Sequence, residues 1–274
     1  MGALDGLRIG FLGAGAMGEA LAGGLLAAGV GADRLRAADP APARRQAVAQ
    51  ALGIAVDEDN AAVVRESDVV VLAVKPAAVA GVIGVLRGEL GADLARPLWV
   101  SIAAGVSIAK LAAELPAGAR IVRAMPNTPT LVREGATAYV TSTEATAADR
   151  AVAHAVFESV GLAWQAADEA LLDAVTGLSG SGPAYVFVFL EALADAGVRA
   201  GLPRDAAHRL ACQTVLGAAR LALESGLHPG ELKDRVTSPG GTTIAGLARL
   251  EAGGLRAAVH DAVEAATRRA RELG

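Results

Sequence analysis

The chain has 274 residues, enough for one large domain or two ordinary ones. Its 25 basic and 29 acidic residues leave a net charge of −4, which argues against nucleic acid as the main partner, because phosphate binding needs a basic surface. Hydrophobic residues make up 53% and aromatics 3%, so the core must be built mainly from Ala, Val and Leu, side chains that suit close helix packing and buried parallel strands.

In chain order, no basic region precedes a long apolar stretch, and glycines interrupt Gly10 to Gly18, so no signal peptide is expected. Short apolar runs then alternate with helical spacing. Arg8–Leu12, Leu35–Ala38, Val69–Ala73, Leu98–Ile102 and Arg120–Ala124 read as buried strands. Met17–Ala28, Ala43–Leu52, Ala77–Leu86 and Ile108–Glu114 read as the helices between them. Such alternation predicts an α/β, Rossmann-type doubly wound parallel sheet with right-handed crossovers. Thr137–Thr141 and Gly161–Gln165 extend its edge.

The pattern changes near Asp168. From there only helices are predicted: Glu169–Thr176, Ala184–Ala200, Arg204–Ser225, Pro229–Thr237, Thr243–Ala252 and Leu255–Glu272. Pro183, Pro203 and Pro229 sit where a first turn tolerates proline, and Gly201, Gly226 and Gly253 follow helix ends. The expected division is therefore a dinucleotide-binding domain over residues 1–167 and an all-helical one over 168–274. Helix Ala184–Ala194 is apolar nearly all round, which implies burial by another subunit. The longest charge-free run, between Asp173 and Glu191, opens with Gly, Ser and Pro and is not expected to span a membrane. The single cysteine, Cys212, excludes an internal disulfide, fits a reducing cytoplasm, and reads as a small buried helix residue.

Arg outnumbers Lys 22 to 3, which reads as genomic base bias, so single arginines carry little message. Two motifs carry chemistry. Gly13-Ala-Gly15-Ala-Met-Gly18 is G-x-G-x-x-G directly after a strand and opening a helix, and Asp39 ends the next strand about 20 residues on. Gly13 makes the turn, Gly15 admits the pyrophosphate, Gly18 lets helix and strand pack closely, and the helix amides take the phosphates. Asp39 would bond ribose hydroxyls and repel a 2′-phosphate, predicting NADH preference; Arg44 and Arg45, otherwise a solvated helix face, could pair with that phosphate. Ala73–Pro76, Ile102–Gly105 and Met125–Pro129 follow strand ends, where ligands bind in open α/β sheets. Lys75 is equally readable as a surface charge.

The second motif is Lys233 to Thr243. One helix ends, Ser238-Pro-Gly240-Gly241 turns the chain, and a new helix starts at Thr242 and Thr243 with no acid from Arg235 through Leu250. Its free amides could take a substrate carboxylate, or the turn is an ordinary Gly turn with a Thr cap. The four histidines have no metal-ligand spacing, so no metal is expected, and each reads as a surface or cap residue. Gly177 to Pro183 lacks the spacing of a serine nucleophile elbow.

These segments together resemble the pyrroline-5-carboxylate reductase family over nearly the whole length. The likeness rests on Gly10-Phe-Leu-Gly-Ala-Gly-Ala-Met-Gly18, Ala73-Val-Lys-Pro76, Ser101-Ile-Ala-Ala-Gly-Val106, Arg123-Ala-Met-Pro-Asn-Thr-Pro129, Ser179-Gly-Ser-Gly-Pro-Ala-Tyr185 and His228-Pro-Gly-Glu-Leu-Lys-Asp234. Its most specific part is Val236-Thr-Ser-Pro-Gly-Gly-Thr-Thr-Ile244. The resemblance implies hydride transfer from NADPH or NADH to the imine of Δ1-pyrroline-5-carboxylate, a small cyclic imino acid, giving L-proline. It implies a cofactor site of Leu12, Gly13, Ala14, Gly15, Ala16, Met17, Gly18, Asp39, Asn60, Ala73, Val74, Lys75, Pro76, Ala103, Ala104 and Gly105. The implied substrate site is Glu169, Ser238, Gly240, Gly241, Thr242 and Thr243, with Thr243 near the imine nitrogen as the catalytic hydroxyl. It also implies a homodimer, since in these enzymes the helical domains intertwine as a dimer and dimers often assemble into larger rings. Family members commonly carry Ser or Thr where Asp39 stands, which bears on the choice of cofactor. Two rival readings share the fold. β-Hydroxyacid dehydrogenases use a lysine on the first long helix of the second domain, whereas here the only lysine beyond Lys110 is Lys233. A non-catalytic dinucleotide-binding protein would not need the Ser238–Thr243 loop.

Overall fold

A computed structural model describes residues 2–274. Its first part runs β1 (Ile9–Leu12), α1 (Ala16–Ala27), β2 (Leu35–Ala38), α2 (Pro42–Leu52), β3 (Ala55–Asp57), α3 (Asn60–Arg65), β4 (Val69–Leu72), α4 (Val79–Leu90), β5 (Leu98–Ser101), α5 (Ile108–Glu114), β6 (Arg120–Met125), β7 (Gly135–Thr141), α6 (Ala147–Glu158) and β8 (Gly161–Gln165). Helices follow: α7 (Leu171–Val175), α8 (Gly182–Arg199), α9 (Arg204–Ser225), α10 (Pro229–Arg235), α11 (Thr242–Ala252) and α12 (Leu255–Leu273).

The eight strands form one sheet in the order β3-β2-β1-β4-β5-β6-β7-β8, parallel except where β7 runs antiparallel to β6. The predicted doubly wound architecture is present, and its order reverses between β1 and β4. Strands buried on both faces explain the near-continuous Val, Ile and Leu runs. Val69 and Val71 enter one core with Phe11, Leu21 and Phe157, while Val70 and Leu72 enter the other with Ile83, Leu86 and Trp99. This is the period of two that a strand imposes, and each fully buried side chain of this size contributes about 1.5–3 kcal/mol. Trp99, fully buried, donates its indole N–H to Leu94 O at 2.7 Å.

Two compact units emerge: one runs to Gly180 and takes in Ala266–Gly274, the other is Ser181–Ala265. The sequence change falls earlier, before Asp168. The difference arises because α7 stays with the sheet, burying Leu172 against Ala138, Val140 and Ala166. In the second unit α8 packs along α9, with Gly197 set close to Ala207. Phe187, Val188, Leu216 and Leu223 are exposed there, so the all-round apolar faces stay open in the single chain.

Two local expectations need correction. The Gly-Ser-Pro stretch expected to interrupt the charge-free run is itself helical, because a π-helical turn over Thr176–Gly180 carries α7 into α8. The resulting Leu171–Arg199 run has 29 residues and holds an 18-residue window of mean hydropathy 1.2, long and apolar enough to cross a membrane by length and composition alone. Cys212 is half-exposed on α9, with Sγ 3.8 Å from His208 Nε2, because the helix turns it away from the Ala207 and Ala211 contact face.

Candidate active site

The crevice at the sheet's switch point is made by the ends of β1 and β4. After β1 the chain turns at Gly13, whose φ of +97° favours glycine and whose added Cβ would lie 2.8 Å from Ala73 O. Gly13 N–H donates to Ala38 O at 2.8 Å, which locks the turn to the end of β2. Gly18, inside α1, faces Gly13 O so closely that a side chain would overlap it. At Gly15 the space is open, with nothing within 4 Å of an added Cβ. Gly15 and Ala16 are exposed, and the N-terminus of α1 has no side-chain cap. Free amides and open space at the N-terminus of a 12-residue helix fit a dinucleotide's phosphates.

Asp39 braces this turn. Its Oδ2 accepts the Ala14 N–H at 3.0 Å and its Oδ1 the Ala41 N–H at 2.9 Å. Arg44 donates to Ala14 O and pairs with Glu19, while Arg45 donates to Asp39 O and Pro40 O at 3.0 Å each and pairs with Glu58 at 3.2 Å. Both arginines are thus bound to the turn and its surroundings. Leu12 is buried at the end of β1, Met17 packs on the core, and half-buried Asn60 opens α3 beside its cap, Asp59.

At the other strand ends, Ala73 closes on Gly13, Val74 packs on the second core, and Lys75 and Pro76 are exposed. Ala103 is buried, its N–H donating to Ser101 Oγ at 3.3 Å; Ala104 is exposed, and Gly105 turns at φ +73°. Glu169 was expected in the substrate pocket. Its carboxylate pairs with Arg123 Nη1 at 2.6 Å and accepts the Ile108 N–H at 2.8 Å. It therefore joins the ends of β6 and the loop after β5, a link that sequence reasoning missed because its members lie far apart in the chain.

The second expected site forms within the helical unit. The chain turns at Gly240, φ +66°, and Gly241 is the N-cap of the 11-residue α11 with no side-chain cap and no acid in the first turn. A side chain at Gly241 would overlap Ser238 Oγ, so the turn is closed tightly on Ser238. Thr242 is exposed and Thr243 half-buried. Neither hydroxyl serves as the cap; the Gly241 N–H donates to Ser238 O at 3.1 Å, and the Thr242 and Thr243 amides that follow remain available for an anion. Lys233 pairs with Asp234 at 2.5 Å on α10, and α8 carries no lysine, unlike the rival dehydrogenase pattern.

A glycine turn at the switch point of a doubly wound sheet, followed by an all-helical half, defines a nicotinamide-dependent oxidoreductase. A model described as pyrroline-5-carboxylate reductase dimerisation matches residues 169–273, and one described as NADP oxidoreductase coenzyme F420-dependent matches residues 8–105. The chain is 47% identical to the pyrroline-5-carboxylate reductase of Methanosarcina acetivorans, covering 99% of each, and 48% identical to that of Pisum sativum, covering 98% and 97%. The solved reductase from Coxiella burnetii superposes with a TM-score of 0.92 at 37% identity over 98% of both chains. The Plasmodium falciparum enzyme, solved with NADP bound, gives 0.86 at 33%, over 98% of this chain and 99% of that one. The chain belongs to the pyrroline-5-carboxylate reductase family.

Proposed function

We propose that this chain reduces the C=N bond of Δ1-pyrroline-5-carboxylate to give L-proline, using NADPH or NADH. The observation that carries the reading is end-to-end identity with curated reductases of that name, supported by one uncapped, acid-free helix start in the helical unit.

The bound reduced nicotinamide supplies the hydride. In the balanced reaction the C=N π bond breaks, its carbon gains hydride, and the ring nitrogen takes a proton that originates in water. The chain's own residues bind and orient. Amides from Gly15 to Gly18, at the uncapped start of α1, hold the pyrophosphate, with Ala73–Pro76, Ala103–Gly105 and Asn60 bordering the cofactor. The turn at Ser238, Gly240, Gly241 and Thr242 holds the substrate carboxylate. Thr243 directs its hydroxyl to the imine nitrogen and assists proton delivery, and Glu169 holds the strand-end loops beside the substrate. Positioning of this kind supplies the rate without a strong general base.

Asp39 favours NADH in this reading, since a carboxylate beside the ribose repels a 2′-phosphate and Arg44 and Arg45 are already bonded. Functional halves at 1–167 and 168–274 agree with a dimerisation match that starts at residue 169. We infer a homodimer, able to build rings, whose second subunit covers the apolar faces of α8 and α9, so that Leu171–Arg199 lies at an interface instead of in a bilayer. A cytoplasmic setting fits the single cysteine.

The test follows nicotinamide absorbance with pyrroline-5-carboxylate, using hydroxyacids as controls. Oxidation with the imine alone is expected. No oxidation with the imine, or turnover only with a hydroxyacid, overturns the reading.

A further inference from the structure

Asn127 stands just past the end of β6 and belongs to neither anion site. It is 9% exposed, and both ends of its amide are bonded. Oδ1 accepts the Ala136 N–H at 2.8 Å, and Nδ2 donates to Ser179 O at 3.0 Å. The Ala136 N–H can only donate and the Ser179 carbonyl can only accept, so one amide orientation satisfies both. A carboxylate of the same shape satisfies only one.

Ser179 lies in the π-helical turn Thr176–Gly180. Such turns interrupt the regular helical ladder and recur at functional sites. This one is held from several sides. Thr176 Oγ1 donates to Leu172 O at 2.7 Å and Ser179 Oγ to Val175 O at 3.2 Å. Gly180 sits on Met125, where an added Cβ would be 2.7 Å from Met125 Cε. On the other side of Asn127, the short 3-10 turn Thr128–Val132 packs on both α1 and β7. α1 is the helix whose first amides face the phosphate space at Gly15. The buried side chain therefore ties the start of β7 to the π turn, and its own backbone leads directly into the 3-10 turn that backs α1.

We propose that Asn127 is a positioning residue for hydride transfer. By clamping the π turn to the ends of β6 and β7, it fixes the approach of the hydride donor to the imine carbon, and it takes no part in proton transfer. The inference rests on the reductase reading and names a residue through which that chemistry is kept in register.

Asn127→Asp keeps the acceptor for Ala136 and turns an acceptor toward Ser179 O. Misplacement of about 1 Å at reacting atoms costs on the order of 100-fold, so kcat is expected to fall by roughly 10- to 100-fold. KM for the imine, and the dissociation constant for NADH measured by its fluorescence, should stay within about twofold. With 4-deuterated NADH the isotope effect on kcat should rise, because hydride transfer becomes more fully rate-limiting. In protein without cofactor, amides of residues 176–182 should exchange faster with deuterium. Asn127→Ala, which removes both bonds, is the second variant should Asn127→Asp fail to fold, and the same split is expected. If the wild type does not reduce the imine, the reductase reading fails and the clamp falls with it. If the wild type is active and the variants keep its kcat and isotope effect, even with lowered stability, Asn127 is structural only and the proposal is overturned while the reductase reading stands.

Discussion

Replacing Gly15 by alanine separates what the fold needs at the glycine turn from what the cofactor needs. At φ −64° and ψ 178° Gly15 has extended backbone that any residue adopts, and an added Cβ meets nothing within 4 Å. Alanine reduces the freedom of the unfolded chain, a gain of about 0.4–1 kcal/mol. Losing glycine from the N-cap position opposes this by about 0.5–1 kcal/mol, so folding stability should scarcely change. The methyl group, however, stands where phosphate oxygens must approach the α1 amides. Losing one charge-assisted hydrogen bond there costs about 1.5–3 kcal/mol. At about 1.4 kcal/mol per decade, the cofactor should bind on the order of 10- to 100-fold more weakly. Gly13→Ala is the contrasting case. Its φ of +97° is unfavourable for alanine, and its Cβ would press on Ala73 O at 2.8 Å, so it should lose both stability and binding. Urea unfolding and NADH fluorescence titration on both variants read the two effects separately. Unchanged affinity in Gly15→Ala would refute the phosphate assignment, and a stability loss equal to that of Gly13→Ala would make Gly15 a packing glycine.

Thr243→Ala should lower kcat by about 100-fold or more if the hydroxyl assists the proton, with cofactor affinity unchanged; a drop in cofactor affinity with turnover preserved would show the loop to be misassigned. Asp39→Ser removes the carboxylate that faces the Ala14 amide, and the ratio of kcat/KM for NADPH over NADH should rise; a wild type that already favours NADPH contradicts the role given to Asp39. Burial raises the Tyr139 phenol above its ordinary pKa of 10.0. The folded state therefore holds that proton more tightly than the unfolded chain, its contribution is complete below pH 10, and it is lost as pH rises through the folded value. Tyr139→Phe should flatten this alkaline loss in urea midpoints, and an unchanged slope would show that other groups cause it.

Much of this fold was legible because its signals are local. The run into Gly13, the buried strands Leu35–Ala38 and Val69–Leu72, and the punctuation of α9 by Pro203 and Gly226 each declare themselves within a few residues. β3 was not legible. It is three residues, Ala55–Asp57, lying on the sheet edge and poorly buried, so no hydrophobic period marks it. α3 and α6 went unread although signals existed. Asp59 caps the first, and Thr146 with Asp149 has the capping-box spacing at the second. At the site, the glycine turn and the Ser238–Thr243 loop follow from backbone chemistry at helix starts. The bracing of Ala14 by Asp39, the Glu169 link to Arg123, and the Asn127 clamp depend on partners brought together only by the sheet. The π turn at Thr176–Gly180 was also hidden, because nothing in its composition distinguishes a slipped helical ladder from a loop.

The buried residues of the Ser181–Ala265 unit, among those described, are the alanines Ala194, Ala207 and Ala211. Three methyl groups cannot hold several long helices against the loss of chain entropy. In the proposed homodimer, association is part of folding for this half of the molecule and dilution acts as a denaturant: the midpoint of thermal melting should climb with protein concentration. A mutation on an outward leucine of α9 would act as a core mutation, though no single chain reveals it as one.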